Sequence, residues 1–485
     1  MRKWLLTTTL LSTLAAPAPA SADPISMAIA STASAAFAAG GVGALTFSAF
    51  GLSLTGWGAA FAQFAIRAAL GYALNALAPK PGGLSRGYQV NSVGAALPHA
   101  VIYGEVRTGG AVFYQTTTGT ANRYLHRCIA FAGHEIDSFT TFYLNDEAVT
   151  LDGSGNVTAP AQYVGYCRIL SHTGSDSQTA DATLVSEVGE WTTNHRARGV
   201  AYAYVRYDYS TTAFPNGVPT LTAKIKGKQV YDPRDLSTAW SDNPALCLRD
   251  YLTSSYGLNE ASGLIKDDKF IAAANICDED VSGSPRYTCN GAFTLDATPE
   301  MAVSGILSAM GGMFWFAQGQ WQCNAAAYAA PSVSFDESDI IGELNIATKN
   351  SRRENFNTVH GTYRGEETNW QETEFSEVTN ASYVTEDGGV EAAIDMQLAF
   401  TDTDAMAQRI ATIALNRNRR QMTVTAAFGV RALQVGIGDT IYFSNARAGW
   451  TNKVFEVTDW RLSMSDNMTL GVNMLLREID SAVFS

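Results

Sequence analysis

Cysteine and histidine are the residue types in this chain whose spacing would most readily reveal chemistry. The six cysteines lie at positions 128, 167, 247, 277, 289 and 323, with no CxxC pair and none of the spacings that zinc ligands require. His134-Glu135 lacks the second histidine of an HExxH motif, and the chain contains no GxSxG, P-loop or EF-hand sequence. The sequence therefore predicts no metal site, no cofactor and no recognisable nucleophile.

One histidine and one cysteine are close enough in sequence to suggest a thiol protease. His126 and Cys128 fall in an alternating pattern that places both on the same face of a strand, where a structural role is favoured. Cys277 and Cys289 could bridge a short loop, and a reduced pair is the alternative. Cys247 lies within an amphipathic helical pattern and is expected to be a small core residue.

Carboxylates occur in three tight groups that could bind calcium or act as a glycosidase pair. The groups are Asp267-Asp268, Asp278-Glu279-Asp280 and Asp402-Thr403-Asp404. Each lies at the end of a predicted helix, where capping and solvation explain acidic residues without catalysis. The sequence thus predicts that the chain is not an enzyme, although its many aromatic and acidic residues keep a carbohydrate-active enzyme as an alternative.

Three helices are predicted in the middle and later parts of the chain. The first begins with Asn243 as N-cap and Pro244 at the first helical position, and Gly257 is expected to end it. The second begins at Thr298-Pro299 and ends at Gly311-Gly312, and the third begins at Thr403. Three arginines at the C-terminal end of the third helix interact favourably with the negative end of the helix dipole.

Period-two patterns predict strands at both ends of this region. Segments 101–107 and 111–114 flank Thr108-Gly109-Gly110 and predict a hairpin, as do segments 313–316 and 321–323 around Gln318-Gly319. Further strands are predicted over residues 200–209, 422–430 and 455–460. The predicted fold class is α+β and β-rich, with more strand than helix.

The first eighty residues have a different composition, with only five charged residues and none between positions 24 and 66. A basic start, an apolar run and Ala20-Ser21-Ala22 are typical of a cleaved signal peptide. Residues 25–50 are apolar over a length that could cross ~30 Å of hydrocarbon. Three interpretations stay open: a helical hairpin buried against protein, a channel-lining or membrane-active segment, and a leader followed by a lipid-facing helix.

Charge is sparse over the whole chain. Of 485 residues only 16% are charged, against roughly 25% in typical soluble proteins, and the formal net charge is −13. The excess of acidic over basic residues argues against a protein dedicated to binding the phosphate backbone of nucleic acids. A length of 485 residues predicts about three domains. The low content of charged residues indicates either a surface covered by partners or a part of the chain that is not in water.

A set of short motifs, each weak alone, resembles a known family when taken in order. The most specific are KGKQVYDPR at 226–234, WSDNPALCL at 240–248 and CNG at 289–291. YGEVRTGG at 103–110, NHR at 194–196, NTVHGTY at 357–363 and VGIGD at 435–439 keep the family's order. The set resembles the central hub of the tip-attachment, or host-specificity, proteins of long flexible-tailed bacteriophages and gene-transfer particles, over roughly residues 84–480.

The resemblance implies a domain plan and a set of structural positions. Residues 1–83 would be an apolar helical segment that is retained. Residues 84–235 would form a β-rich hub domain with an insertion, 236–330 a helix-rich hub domain ending in a hairpin, and 331–485 a β-rich hub domain with one helix. These would be interlocked domains of β-barrel or β-sandwich type, in the hub-only short form. The signature positions are Gly104, Gly109, Gly110, Asp242, Asn243, Pro244, Gly438 and Asp439.

The function implied is a structural hub at the tail tip of a virion, assembled in the host cytoplasm. The hub would be a homotrimer that links the tail tube to distal fibres and forms the channel for DNA ejection, with an acidic lumen. Expected partners are distal tail or tube-adaptor proteins, the tape-measure protein, tail fibre or receptor-binding proteins, DNA in transit, and the host membrane through the N-terminal segment. The expected contacts of that segment with the channel, the tape measure or the membrane are Phe47, Phe50, Trp57, Phe61 and Phe64. The alternative, based on the leader-like start, is an exported envelope or surface-binding protein.

Overall fold

The computed structural model describes residues 45–46, 53–54, 91–93, 97–349, 351, 354–464 and 470–484. The chain divides into two compact units, Met1–Phe61 and Ala62–Ser485. In the first unit only an antiparallel pair, β1 (Leu45–Thr46) and β2 (Ser53–Leu54), is described. The helices predicted over residues 1–83 and the five aromatic residues expected to make contacts there lie outside the described residues. Among the described residues, no helix combines the length and apolar character needed to span a bilayer.

Two five-stranded sheets pack face to face in the first part of the second unit. The β12 sheet has the order β11-β12-β7-β6-β3 and the β13 sheet the order β10-β9-β8-β13-β5. The strands of the β12 sheet are β3 (Ser92–Val93), β6 (Ala111–Thr118), β7 (Tyr124–Ala132), β11 (Cys167–His172) and β12 (Ala201–Asp208). Those of the β13 sheet are β5 (Glu105–Gly109), β8 (Ser138–Leu144), β9 (Glu147–Leu151), β10 (Val157–Ala159) and β13 (Leu221–Lys226).

Strand β12 is buried on both faces, which explains its continuous run of aromatic and aliphatic residues. Ala203 and Val205 face the core between the two sheets, together with Phe142 and Ile225. On the opposite face, Tyr202 and Tyr204 pack with other residues beneath helix α1 (Ala182–Glu187). The strand predicted at 200–209 is therefore confirmed, as the centre of a sheet covered on both sides.

The hairpin predicted between segments 101–107 and 111–114 is wrong. Strand β4 (Ala100–Tyr103) pairs with β18 (Gly291–Thr294), β5 joins the β13 sheet, and β6 joins the β12 sheet. Gly104 has φ +65° and turns the chain between β4 and β5. A Cβ at Gly110 would lie 2.5 Å from the Ala130 carbonyl oxygen, so the chain crosses between sheets where only glycine fits. Alternation predicted the strands but could not predict three different partners.

The middle of the chain contains the helices α2 (Pro244–Thr253), α3 (Asp267–Cys277) and α4 (Pro299–Ala309). The predicted N-caps Asn243 and Thr298 both accept backbone N–H groups of the first turn. Helix α2 ends at Thr253, four residues before the position predicted from Gly257. Gly257 instead allows a close approach, because a Cβ there would lie 1.8 Å from the Tyr251 carbonyl oxygen.

The second predicted hairpin is confirmed as β19 (Met313–Ala317) and β20 (Gln320–Asn324). Gln318 and Gly319 both have positive φ, as a two-residue turn of type I′ requires. Two further antiparallel pairs flank the helices: β14 (Gln229–Asp232) with β15 (Ser237–Trp240), and β16 (Asp280–Val281) with β17 (Ser284–Pro285).

Two more sheets form the last part of the chain. The six-stranded β29 sheet has the order β21-β28-β29-β30-β27-β22. Its strands are β21 (Val333–Phe335), β22 (Ile340–Ala347), β27 (Thr423–Phe428), β28 (Thr440–Asn445), β29 (Trp450–Met464) and β30 (Leu470–Glu478). Its core contains Phe335, Phe428, Phe443 and Phe455. The strands predicted at 422–430 and 455–460 are confirmed as β27 and part of β29.

In the four-stranded β23 sheet, β23 pairs with each of the other three strands. They are β23 (Thr358–Arg364), β24 (Glu372–Glu374), β25 (Val378–Thr379) and β26 (Ala393–Leu398), with the short helix α5 (Ala381–Glu386) between the last two. Helix α6 (Asp404–Arg419), predicted from Thr403, packs against β23. The α+β, β-rich class is confirmed. The predicted domain boundaries stay a prediction. The β4–β18 pair connects segments on either side of residue 236.

Candidate functional site at the junction of the sheets

The signature glycine Gly104 lies where the first strands meet the middle of the chain. A Cβ at this position would lie 2.1 Å from the Cys289 carbonyl oxygen and 2.2 Å from Asn290 Oδ1. The Gly104 carbonyl accepts hydrogen bonds from the Gly227 N–H at 2.7 Å and from Trp240 Nε1 at 3.2 Å. Positive φ and this crowding together require glycine at this position, whereas its place in the family signature stays a prediction.

Asn290 joins three segments that are distant in sequence. Its Oδ1 accepts the Glu105 N–H at 2.7 Å, and its Nδ2 donates to Asp402 Oδ2 at 2.8 Å. Its own N–H donates to the Phe400 carbonyl at 2.9 Å, and only 4% of the residue is exposed. Neither Asn290 nor Asp402 was among the predicted site residues. Asn290 belongs to the CNG motif at 289–291, so the sequence does point to this residue. Asp402 belongs to an acidic group at the end of a predicted helix, where capping is the expected role.

Asp242, Asn243 and Pro244 connect α2 to the end of α3. Asn243 Oδ1 accepts the Ala245 N–H at 3.0 Å, and its Nδ2 donates to the Ala274 carbonyl at 2.9 Å and to Asp278 Oδ1 at 2.8 Å. The Asp242 carbonyl accepts the Cys289 N–H at 2.6 Å. Asparagine is needed at position 243 because aspartate would offer acceptors but no donors.

An acidic cavity of about 310 Å³ opens at this junction. Its lining residues are Glu105, Trp240, Asp242, Asn290, Glu366, Glu367, Trp370, Asp402 and Thr403. Lys224 Nζ lies 2.9 Å from Glu366 and 3.4 Å from Glu105, and so offsets part of this charge. Burial raises the pKa of Asp242 and of Asp402, and neighbouring carboxylates add to both shifts. The carboxyl groups of Asp242 and Asp402 therefore hold their protons more strongly than exposed carboxyl groups would.

The remaining signature positions are separate from this junction. Gly109 pairs with Thr222 within the β13 sheet. Gly438 has φ +83°, and a Cβ there would lie 2.9 Å from the Trp315 ring. Asp439 accepts the Gly436 N–H at 2.8 Å and a hydrogen bond from Lys269 Nζ at 2.9 Å, which ties the turn before β28 to α3. The signature positions thus serve several separate contacts.

The side chains that suggested chemistry have structural roles. His126 is fully buried and within 2.7 Å of both Thr118 Oγ1 and Tyr204 Oη. All six cysteines are buried and free, so Cys277 and Cys289 do not form the disulfide that spacing left open. Burial raises the pKa of the Cys167 thiol to about 12. Within the described part of the chain, no group of three or more potential ligands could hold a metal ion.

Comparisons with known proteins identify the kind of protein that has this fold. Residues 298–460 match the model of a family described as putative phage tail protein. The chain is 21% identical to baseplate hub protein pb3 of Escherichia phage T5, over 79% of this chain and 48% of that protein. This chain resembles structural proteins of phage tails. It spans about half the length of pb3.

The fold also matches a solved chain in the virion of a native gene transfer agent particle. The TM-score is 0.60 at 15% identity, and the match covers 96% of this chain and 98% of the other. These similar proteins are tail, hub and virion proteins, in agreement with the prediction of a structural, non-enzymatic role. The tip-attachment subfamily, the homotrimer and the individual partners stay predictions.

Proposed function

We propose that this chain is the structural hub at the tip of a phage-type tail, linking the tail tube and tape-measure protein to distal fibres. The observation that carries the proposal is the similarity to a baseplate hub protein over 79% of the chain, joined to a shared fold with a gene transfer agent virion protein over 96% of it.

The hydrogen bonds at the junction around Gly104 support a structural role. Asn290 connects β5, the segment before β18 and the segment after β26 through three hydrogen bonds. Asn290 itself is buried, and leaving a buried polar group without its partner costs about 1–3 kcal/mol. Such a connection fixes the three segments relative to one another.

The proposed assembly is a homotrimer around a channel through which DNA passes. Three copies would carry three times the net charge of −13, or −39. Carboxylates along the channel would repel phosphates, so that DNA passes without adhering. The N-terminal segment, with its uncharged residues 24–66, is proposed to occupy the channel, hold the tape-measure protein or contact the host membrane.

Assembly in the host cytoplasm is favoured over export by the cysteines. All six are free and buried, whereas cysteines of exported proteins commonly pair in an oxidising compartment. Mass spectrometry of the chain isolated from particles tests this point. A chain that begins at Met1 is expected, and a mature terminus at Asp23 would support the exported alternative.

Electron microscopy of particles tests the hub proposal itself. We expect three-fold density at the tail tip that accommodates the fold of residues 97–484, and loss of that density when the gene is deleted. As a control, the same gene supplied from a plasmid is expected to restore the tip. Normal tips on particles that lack this chain would contradict the proposal, as would recovery of the chain only from the envelope of uninfected cells.

A further inference from the structure

The outer face of the β23 sheet carries mainly negative charge. Residues 361–400 contain nine carboxylates, one arginine and no lysine. The opposite face of this sheet is apolar, because Val359 and Leu398 are fully buried. The register places Glu374 opposite Thr362 and Asp395 opposite His360, so both carboxylates lie on the exposed face. We call this surface the acidic face; it is defined by Glu372, Glu374, Glu391 and Asp395.

Two of the four carboxylates on the acidic face have partners within the chain. Glu372 pairs with Arg364 at 3.2 Å, and Glu391 lies 3.7 Å from His360. Glu374 and Asp395 form no ion pair with any described residue, and both are exposed. In a chain with only 16% charged residues, such a concentration of one sign is unfavourable for an isolated surface and favourable opposite a cationic one.

A matching cationic surface lies on the loop of residues 192–198, which we call the arginine loop. Arg196 and Arg198 are both exposed. Their Nε atoms donate to the backbone carbonyls of Thr193 and Gln178, at 3.3 and 3.2 Å. Neither guanidinium forms an ion pair with a carboxylate of the described residues, Glu190 included. The loop therefore presents two positive charges without internal partners.

The two surfaces lie on opposite sides of the paired sheets and cannot meet within one chain. Trp191, next to the arginine loop, packs with Tyr202 on the outer face of the β12 sheet. The segment that follows β23 lies against the outer face of the β13 sheet, where Glu366 pairs with Lys224. The two sheets pack about 10 Å apart, with their core between them. Only a second molecule can bring the arginine loop and the acidic face together.

We propose that the arginine loop of one copy docks on the acidic face of the next copy in a head-to-tail interface. The inference rests on the proposed homo-oligomeric hub and names the surfaces that would hold it together. Different patches meet in such an interface, so repeating it closes a ring when the rotation between copies fits, as a trimer requires. Arg196 and Arg198 supply planar donors suited to carboxylates such as Glu374 and Asp395.

Charge reversal with rescue tests this proposal in the full-length chain. The variant R196E/R198E and the variant E374K/D395K should each weaken self-association, measured by sedimentation velocity, by about tenfold or more. Combining all four substitutions should restore association towards the wild-type value, because the charges are then exchanged across the interface. Raising the salt concentration should weaken the wild-type assembly and the rescued assembly alike.

The control variant R127E/R447E changes two other arginines that form no ion pair within the described residues. It shifts the net charge by the same −4 as R196E/R198E and should associate like the wild type. Circular dichroism should show that every variant is folded. If either charge-reversal variant associates like the wild type, or if the combined variant stays dissociated, this interface is wrong while the hub proposal stands. A wild-type chain that is monomeric in solution and in particles contradicts both.

Discussion

At the scale of single residues, the junction depends on a glycine, which has no Cβ, and on an asparagine, whose side chain both accepts and donates hydrogen bonds. Gly104 has room for no Cβ, and Asn243 acts as helix cap and donor at once. The resemblance predicted both positions from sequence. The partners of Gly104 could not be predicted, because Asn290 and Trp240 lie more than 130 residues away in the chain.

Replacing Gly104 with alanine should destabilise the chain by about 3 kcal/mol, because the new Cβ meets two oxygen atoms at a backbone conformation that disfavours side chains. The free energy of unfolding in urea measures this effect. Gly153→Ala is the matched control, since nothing lies within 4 Å of a Cβ at Gly153. An equal loss in both variants would show that crowding at Gly104 is not the cause.

Replacing Asp242 with asparagine should stabilise the chain at neutral pH. Burial raises the pKa of Asp242 in the folded state, so the folded chain holds this proton more strongly than the unfolded chain does. The resulting cost to wild-type stability is absent below the ordinary carboxyl pKa of about 3.9. It grows as pH rises towards the raised value and is fully present above it. Urea midpoints of both chains should therefore converge on acidification.

Asp152→Asn provides a control of opposite sign. Hydrogen bonds from Asn156 and from the Ser154 N–H lower the pKa of Asp152, so its charge contributes stability that is lost as pH falls. At neutral pH this variant should be less stable than the wild type. A gain in stability for Asp152→Asn, or a loss for Asp242→Asn, would contradict the electrostatic account.

At the scale of elements, sequence patterns predicted what is local and failed where pairing is distant. The N-caps of α2, α4 and α6 and the turn between β19 and β20 are set by neighbours in the chain, and all four were predicted. The pairings of β4 with β18 and of β5 with β13 join segments over a hundred residues apart, whereas β6 pairs with the nearby β7 and β3. The acidic cavity was not predictable either, since Glu105, Asp242 and Asp402 come from three parts of the chain.

The C-terminal end of α6 depends on an arginine from another element. Arg477 on β30 donates to the carbonyls of Arg417 at 2.9 Å and Arg420 at 3.2 Å. Burial lowers its pKa to about 10. Arg477→Met should destabilise the chain by about 2 kcal/mol, because it removes two hydrogen bonds that a charged side chain donates to carbonyls at the end of the helix. Thermal or urea unfolding measures the loss. Arg461→Met should change stability little, since Arg461 pairs with Asp459 at the surface.

At the scale of the whole molecule, stability is expected to be independent of redox conditions. All six cysteines are buried and free, and burial raises the pKa of the Cys167 thiol to about 12. Few thiolates are then available to react. Iodoacetamide should label none of the six in the native chain and all of them in urea, as counted by mass spectrometry, and reductant should leave the melting temperature unchanged. Rapid labelling under native conditions would contradict the buried arrangement.

The pairing of β4 with β18 has a consequence for synthesis on the ribosome. Tyr103 pairs with Gly291, so strand β4 waits for nearly two hundred further residues to be translated before its partner β18 exists. At 5–20 residues per second this interval is roughly 10 to 40 s. During that time the nascent chain exposes an apolar strand edge, which chaperones can bind and which neighbouring nascent chains can pair with. Translation speed across residues 104–290 is therefore expected to influence how much of the protein reaches its folded state.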